Sequence, residues 1–274
     1  MRFVLTSAVC FAFVSPAWAQ GLPAPSPSAM VKQTVGVTDV SVDYSSPAVK
    51  GRVILGKLLP FGEYWRAGAN AATKVTFSHD VKFAGQDVKA GEYRLGLTPT
   101  RKGWMVALGT DTNTVMSLPE KEALVLNTAV KQKTIRSRER LTYLFENTTD
   151  TKTDLVLEWS TFKVILPISV GTEALVTTNL AQQERQAYGS MLGAGRYLTR
   201  VGKFDEAIAK FEKAKALNNS WRVHWHMAEA FAKKGDKGKA LELAKSAQSM
   251  GKGERIYEQF FKTDVEEALV AWAK

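Results

Sequence analysis

Between residues 35 and 170 apolar and polar positions alternate with a period of two. Val75 and Phe77 flank Thr76, and Tyr93, Leu95 and Leu97 run against Arg94. The same spacing returns at Trp104, Val106 and Leu108, at Leu141, Tyr143 and Phe145, at Leu155, Leu157 and Trp159, and from Phe162 through Val164 and Leu166 to Ile168. Successive side chains of a strand point to opposite faces, so the pattern predicts half-buried β-strands. Turn-forming residues fall between them, at Ala84-Gly85-Gln86-Asp87, at Ala90-Gly91-Glu92 and at Asn147-Thr148-Thr149-Asp150. Those intervals suit an all-β sandwich, with a short helix expected only near residues 118–123. After Ser169 the period becomes helical and Ala, Leu, Lys and Glu dominate. The expected fold class is α+β: an antiparallel β-sandwich over residues 35–170, then an α-helical domain over 171–274.

The helical part repeats itself. Gly202-Lys203-Phe204-Asp205-Glu206-Ala207-Ile208 aligns with Gly235-Asp236-Lys237-Gly238-Lys239-Ala240-Leu241, and Ala214 with Ala247, at an offset of 33 residues. A fixed period of this size signals stacked helical hairpins. Gly195, Ala207, Phe211 and Ala214 in the first unit, and Ala228, Ala240, Ala244 and Ala247 in the second, resemble the tetratricopeptide repeat over residues 187–251. In the second unit Ala244 stands where the motif has an aromatic, and the usual proline after each unit is missing. Two units cannot bury a continuous core by themselves. Residues 254–272 are therefore expected to cap the stack, and the β domain or residues 174–186 to cover its other end.

The first half carries a second resemblance. Lys50-Gly51-Arg52-Val53-Ile54-Leu55-Gly56, Leu59-Pro60-Phe61-Gly62, Trp65-Arg66-Ala67-Gly68-Ala69-Asn70 with Thr73, Ala90-Gly91-Glu92-Tyr93 and Leu157-Glu158-Trp159 follow one another in the order and spacing of a known bacterial family. Residues 35–168 so resemble the exported family called domain of unknown function 2911. The family has no assigned activity, so the resemblance implies a domain boundary and export but no reaction. Ala71 stands where an acidic residue is common, and the polar segment after Trp104 is shorter than usual.

Export is also written at the N-terminus. Arg2, an apolar run and Ala17-Trp18-Ala19 follow the charged, apolar, small-x-small order of a secretory signal peptide over residues 1–19. Residues 20–34, with Pro23, Pro25 and Pro27, are expected to be an extended linker. The single cysteine, Cys10, lies in the leader, so the mature chain has no thiol for a disulfide, a zinc site or covalent catalysis. No later stretch is apolar for long enough to span a bilayer. The net charge of +10 is spread through both halves. Such a spread favours solubility and weak attraction to an anionic envelope surface over a nucleic-acid face. The expected location is secreted, in a periplasm.

Three groups of residues are candidates for chemistry. In the Trp65–Asn70 turn, Gly62 and Gly68 permit backbone angles that other residues avoid, while Ala67 and Ala69 leave room for close approach. Trp65 and Arg66 point to opposite faces. Arg52, Arg66 and Asn70 can receive a carboxylate, phosphate or sugar, or else form an internal network that pins the loop. His79 with Glu63 and Arg66 would be the acid–base set of a hydrolase acting on an envelope glycan or ester. No nucleophile-elbow or zinc-protease motif accompanies them. On the helical repeats, Arg196, Arg200, Arg222 and Lys233 around Trp225 would suit an acidic peptide or protein partner. The alternating cations of residues 131–140 would line an exposed strand edge. His224 and His226 are two apart on a helix and diverge, so no metal is expected, nor any cofactor. The leading expectation is a noncatalytic binding or scaffold protein of the cell envelope, with the hydrolase as the alternative.

Overall fold

The computed structural model describes residues 23–112 and 117–274. The expected leader lies outside the described residues. The chain divides at Thr172 into two compact units, one of strands and one of helices.

In the first unit nine strands form one antiparallel sheet: β1 (Ser28–Val35), β2 (Thr38–Ser45), β3 (Thr73–Phe77), β4 (Val81–Phe83), β5 (Gln86–Val88), β6 (Gly91–Thr100), β7 (Gly103–Gly109), β8 (Leu124–Glu146) and β9 (Lys152–Val170). Their order is β1-β2-β3-β6-β7-β8-β9-β4-β5. β1 begins inside the stretch expected to be linker. Residues 28–34 alternate in exposure as an edge strand does, and β1 pairs with β2 from Ser28↔Ser45 to Val35↔Thr38. Pro23, Pro25 and Pro27, which cannot donate to a ladder, precede its start. Residues 118–123 form a turn, not the short helix expected.

β8 belongs to both halves of the sheet. Its first residues pair with β7 up to Val130, and from Lys131 onward it pairs with β9. The register with β9 shifts between Thr134 and Arg138 and again between Arg138 and Thr142, and Ser160 opposite has a positive φ of 50°. Such irregularities bend a sheet. At the bend the segment after β2 crosses β8: Val49 N–H donates to Glu139 O at 2.8 Å and Leu141 N–H to Pro47 O at 3.0 Å. One hydrophobic cluster then draws on all nine strands, with Trp104 and Trp159 among its largest members. Burying each such ring contributes about 1.5–3 kcal/mol or more.

Alternation holds on β2 as far as Val42 and along β3, where every second residue is buried. It fails on β6. Tyr93, Arg94, Leu95, Gly96 and Leu97 are all buried, so β6 is covered on both faces and Arg94 does not face solvent as its position predicts. The outer cover is supplied by Tyr64 and Pro119. A β-carbon on Gly96 would lie 2.2 Å from the Tyr64 ring, and one on Gly109 would lie 2.6 Å from Pro119.

The second unit is helical: α1 (Thr172–Arg200), α2 (Phe204–Leu217), α3 (Trp221–Lys234), α4 (Lys237–Gly251), α5 (Arg255–Phe260) and α6 (Lys262–Trp272). The 33-residue offset reappears in the backbone bonds. Gly202 N–H donates to Thr199 O and Lys203 N–H to Leu198 O, while Gly235 N–H donates to Ala232 O and Asp236 N–H to Phe231 O. Both glycines have positive φ, 81° and 99°, as a helix-ending turn requires. Ala207, Phe211 and Ala214, and Ala228, Ala240, Ala244 and Ala247, are all sealed from solvent. Tyr257 and Val265 join the same core, and Trp272 stacks on Trp225 at 5.9 Å. Residues 174–186 do not fold back over the stack. They continue α1 as one helix and are mostly exposed.

Candidate functional site

The turn between β2 and β3 builds a cleft. After Val49 the chain reverses through Lys50 and Gly51, with φ of 48° and 67°, and brings Arg52 back over its own backbone. Arg52 Nε donates to Val49 O at 3.0 Å and Nη2 to Ala48 O at 2.6 Å. Ile54 and Leu59 anchor the excursion in the core. At Trp65 the chain rejoins the sheet by exchanging two backbone hydrogen bonds of 2.8 Å with Leu97.

The Trp65–Asn70 turn divides its roles differently from expectation. The left-handed angles fall on Ala67 and Asn70, with φ of 55° and 56°, while Gly68 is not among the positive-φ residues. Gly68 is required by space, since a β-carbon there would lie 2.6 Å from Thr73 Oγ1 and 3.3 Å from Ser45 O. Trp65 Nε1 donates to Gly68 O at 2.9 Å, closing the turn on itself. Tyr143 Oη, buried under the turn, donates to Ala67 O at 2.9 Å. Burial pushes the Tyr143 phenol well above its ordinary pKa and keeps that proton in place. Asn70 Nδ2 donates to Ser26 O at 3.0 Å and reaches Ser45 Oγ at 3.4 Å. Its amide therefore fastens the segment that leads into β1.

The cleft measures about 380 Å³, and Arg52, Glu63, Tyr64, Trp65, Arg66 and Trp159 are among its walls. Trp159 is 1% exposed and forms the floor, with Trp65 stacked on it at 5.7 Å and 23°. Its indole N–H finds no acceptor among the described residues. Trp65 and Arg66 are half-buried; Arg52 and Glu63 are exposed.

Tyr64 is held from behind by Arg94. That guanidinium, 0% exposed, reaches Asp111 through Nη2 at 2.7 Å and Nε at 3.3 Å, Ser117 O at 2.6 Å and Tyr64 Oη at 3.1 Å. Its Cζ also lies 5.6 Å from the Tyr64 ring centre. Burial raises the Tyr64 pKa against the opposing pull of Arg94, so the phenol stays neutral. Sequence reasoning missed Arg94 and Tyr64, and had Trp159 only as a core residue. The available signal was Gly96, Ala107 and Gly109, small residues on a strand face that should have been polar.

His79 lies outside this cleft. It sits on the β3–β4 turn with Nδ1 3.0 Å from Ser78 Oγ, and Ser78 Oγ accepts the Asp39 N–H at 2.8 Å. A broader depression of about 490 Å³ follows the β4–β5 ribbon, where Lys82 pairs with Asp87 at 2.6 Å and Lys89 with Asp80 at 2.8 Å. On β8, Arg138 is paired with Glu158 at 2.7 Å and Arg140 donates to Pro25 O and Ser46 O. Those two cations of the 131–140 run serve the fold.

On the helices the expected ring of cations around Trp225 does not form. Trp225 is buried under Trp272, Arg222 lies over Trp221 at 5.2 Å and Arg200 over Tyr197 at 5.4 Å. Arg196 is exposed on α1. Lys233 alone of the four shares a cleft with Trp225, about 350 Å³, together with Glu229, Ala232 and Trp272. His224 Nε2 meets Asn219 Oδ1 at 2.6 Å, and His226 Nδ1 meets Glu229 Oε2 at 2.7 Å, so the two rings address different partners. Among the described residues no three His, Cys, Asp or Glu stand together as a metal site, and no helix is long and apolar enough to cross a membrane.

No curated protein matches the chain. A solved structure similar to it is the type III secretion translocator chaperone SycD of Yersinia enterocolitica, in an alternative dimer, with 21% identity over 37% of this chain and 90% of that chain and a TM-score of 0.29. Over residues 26–168, more than half of the sequence, the chain matches the family described as "Protein of unknown function (DUF2911)". That span contains the whole Trp65–Asn70 turn and every wall of its cleft, and the chain belongs to this family.

Proposed function

We propose that the protein is an exported, periplasmic binding or scaffold protein of the cell envelope, without catalysis of its own, whose β unit holds a small oxygen-rich ligand in the Trp65–Asn70 cleft. In this reading the bent sheet packs as a β-sandwich and the helices as tetratricopeptide-like hairpins. The carrying observation is the cleft itself, whose walls hold Arg52, Arg66 and Glu63 together with the stacked Trp65 and Trp159. The volume, about 380 Å³, is that of a small-molecule site. A hydrolase would need His79 to converge with Glu63 and Arg66 on one substrate position. Its place on the β3–β4 turn favours binding over hydrolysis. The test is the melting temperature of the full chain with citrate, inorganic phosphate or triacetylchitotriose. A ligand at a hundredfold excess over its Kd stabilises by about 2.7 kcal/mol. At least one of the three should raise the melting point, and Ala69→Phe, which fills the cleft, should abolish the rise. If none does, the cleft is not the site.

A second reading concerns the helices, where Lys233, Glu229 and the Trp225–Trp272 pair line a cleft suited to a protein or acidic peptide. Hexaglutamate should bind the full chain at low salt and weaken about tenfold or more in the Arg200→Glu/Lys233→Glu double variant. Unchanged affinity at low salt would remove the helical surface from consideration.

A further inference from the structure

We infer that the ligand of the Trp65–Asn70 cleft is an uncharged sugar of an oligosaccharide rather than a carboxylate or phosphate, an inference that rests on the cleft reading above. The charges in the cleft are mixed. Glu63 stands in the same walls as Arg52 and Arg66. A compact anion there would meet a carboxylate as well as two guanidinium groups, and Coulomb attraction to the cations would be offset by repulsion from Glu63. A sugar hydroxyl meets no such conflict, because it accepts from a guanidinium and donates to a carboxylate at once.

The donors of Arg52 are also partly committed. Its Nε and Nη2 already donate to the carbonyls of Val49 and Ala48, at 3.0 and 2.6 Å. Such a group is held as a fixed donor, with its remaining N–H groups in a set direction, which suits a neutral acceptor of defined geometry. The aromatic walls point the same way. Trp65 is half-buried and lies on Trp159, and Tyr64 stands beside them. The half-buried Tyr64 and Trp65 put apolar ring surface beside fixed polar groups, a combination that matches a pyranose, which has apolar C–H surface and a rim of hydroxyls.

Trp159, 1% exposed, backs the cleft with apolar surface, against which a charge would lose hydration without gaining a partner.

The experiment is calorimetric titration of the full chain with two neutral probes, triacetylchitotriose and cellotriose, and two anionic ones, trigalacturonate and inorganic phosphate. At least one neutral trisaccharide should bind saturably and about tenfold or more tighter than trigalacturonate. Glu63→Ala should weaken it by about tenfold and narrow the preference over trigalacturonate, with the melting temperature unchanged. Ala69→Phe should abolish it. Equal or tighter binding of trigalacturonate or phosphate overturns the neutral-sugar inference and leaves the cleft reading standing. Neutral binding that survives Ala69→Phe places the sugar elsewhere and overturns the inference. Binding of none of the four overturns the inference, and the cleft reading falls with it when citrate also leaves the melting temperature unchanged.

Discussion

In the strand unit two close contacts set a large side chain on a small one across a sheet face, Tyr64 on Gly96 and Pro119 on Gly109, with the Arg94 guanidinium sealed from solvent. In the helical unit Phe211 lies on Gly195 and Tyr257 on Gly251 in the same manner, yet no Lys, Arg, Asp or Glu described there is buried. The difference lies in where the cover comes from. The helical cover is local, and the turns after Thr199 and Ala232 and the sealed Ala207, Ala214, Ala240 and Ala247 recur at 33 residues, so close packing alone completes that core. The strand unit recruits its cover from a loop 30 residues before Arg94 and from a turn beyond it, and the fully buried Arg94, paired with Asp111, joins the three pieces. The first kind of core is redundant; the second hangs on single residues.

The largest effect should therefore come from the ion pair, and it should be asymmetric. Asp111→Ala leaves the fully buried Arg94 without its counter-ion, an arrangement that costs about 3–5 kcal/mol. Arg94→Met leaves Asp111, whose side chain is 28% exposed and keeps access to water, so the cost should be nearer 2 kcal/mol. Urea unfolding of the two variants measures both. Equal losses, or a loss under about 1 kcal/mol for Asp111→Ala, would mean that the buried charge is not what joins the loop to the sheet.

The same contrast explains what the sequence discloses. Strand alternation, the helical period and the 33-residue offset are properties of neighbouring residues, and they are legible because they repeat. The burial of Ala207, Phe211 and Ala214, and of Ala240, Ala244 and Ala247 at the same offset, is legible for that reason. Periodicity puts Arg94 on the wet face because it describes one strand and is blind to what a distant loop lays over it. The turn residues show a subtler limit. Arg52, Glu63 and Arg66 do share a cleft, but the backbone angle expected at Gly68 is carried by Ala67 and Asn70, while Gly68 meets a steric demand from Thr73 and Ser45. A glycine in a sequence marks one of two needs, a special angle or a close neighbour, and only coordinates separate them. Trp159 read as core, which it is; that its N–H is left without an acceptor could not be read from spacing.

A smaller effect tests the redundancy of the helical core within one helix. Gly193 and Gly195 are two residues apart on α1. A β-carbon on Gly195 would lie 2.4 Å from the Phe211 ring, whereas one on Gly193 would meet nothing within 4 Å. Gly195→Ala should destabilise the helical unit by about 1–3 kcal/mol through forced repacking of Phe211. Gly193→Ala should stabilise it by up to about 1 kcal/mol, the difference in helix propensity. Hydrogen exchange of α2 and α3 amides reads both signs. If both substitutions stabilise, Phe211 yields without cost and the core is looser than its geometry.

The smallest effect probes whether the helical unit lacks a buried charge at every pH. His224 is 8% exposed, with Nε2 against Asn219, and its other ring nitrogen has no partner among the described residues. Burial holds its pKa below the usual histidine value; nearby Lys215 adds to that shift, and Glu212 opposes it. The folded state therefore prefers the neutral ring. Its contribution to stability is fully present above the unfolded-state pKa, about 6.5, and is lost as pH falls through the lower folded-state value. Hydrogen exchange of the α3 amides should accelerate, relative to amides of β7, when the pH is lowered from about 7.5 to 5.5 and the intrinsic chemical rate is removed. His224→Gln keeps a polar group able to face Asn219 and removes the titration, so the pH slope should flatten while stability at neutral pH changes little. A slope that persists in this variant would assign the acid sensitivity to another group. An α3 that resists acid as β7 does would mean that this core accommodates a cation after all, in the way the strand unit accommodates Arg94.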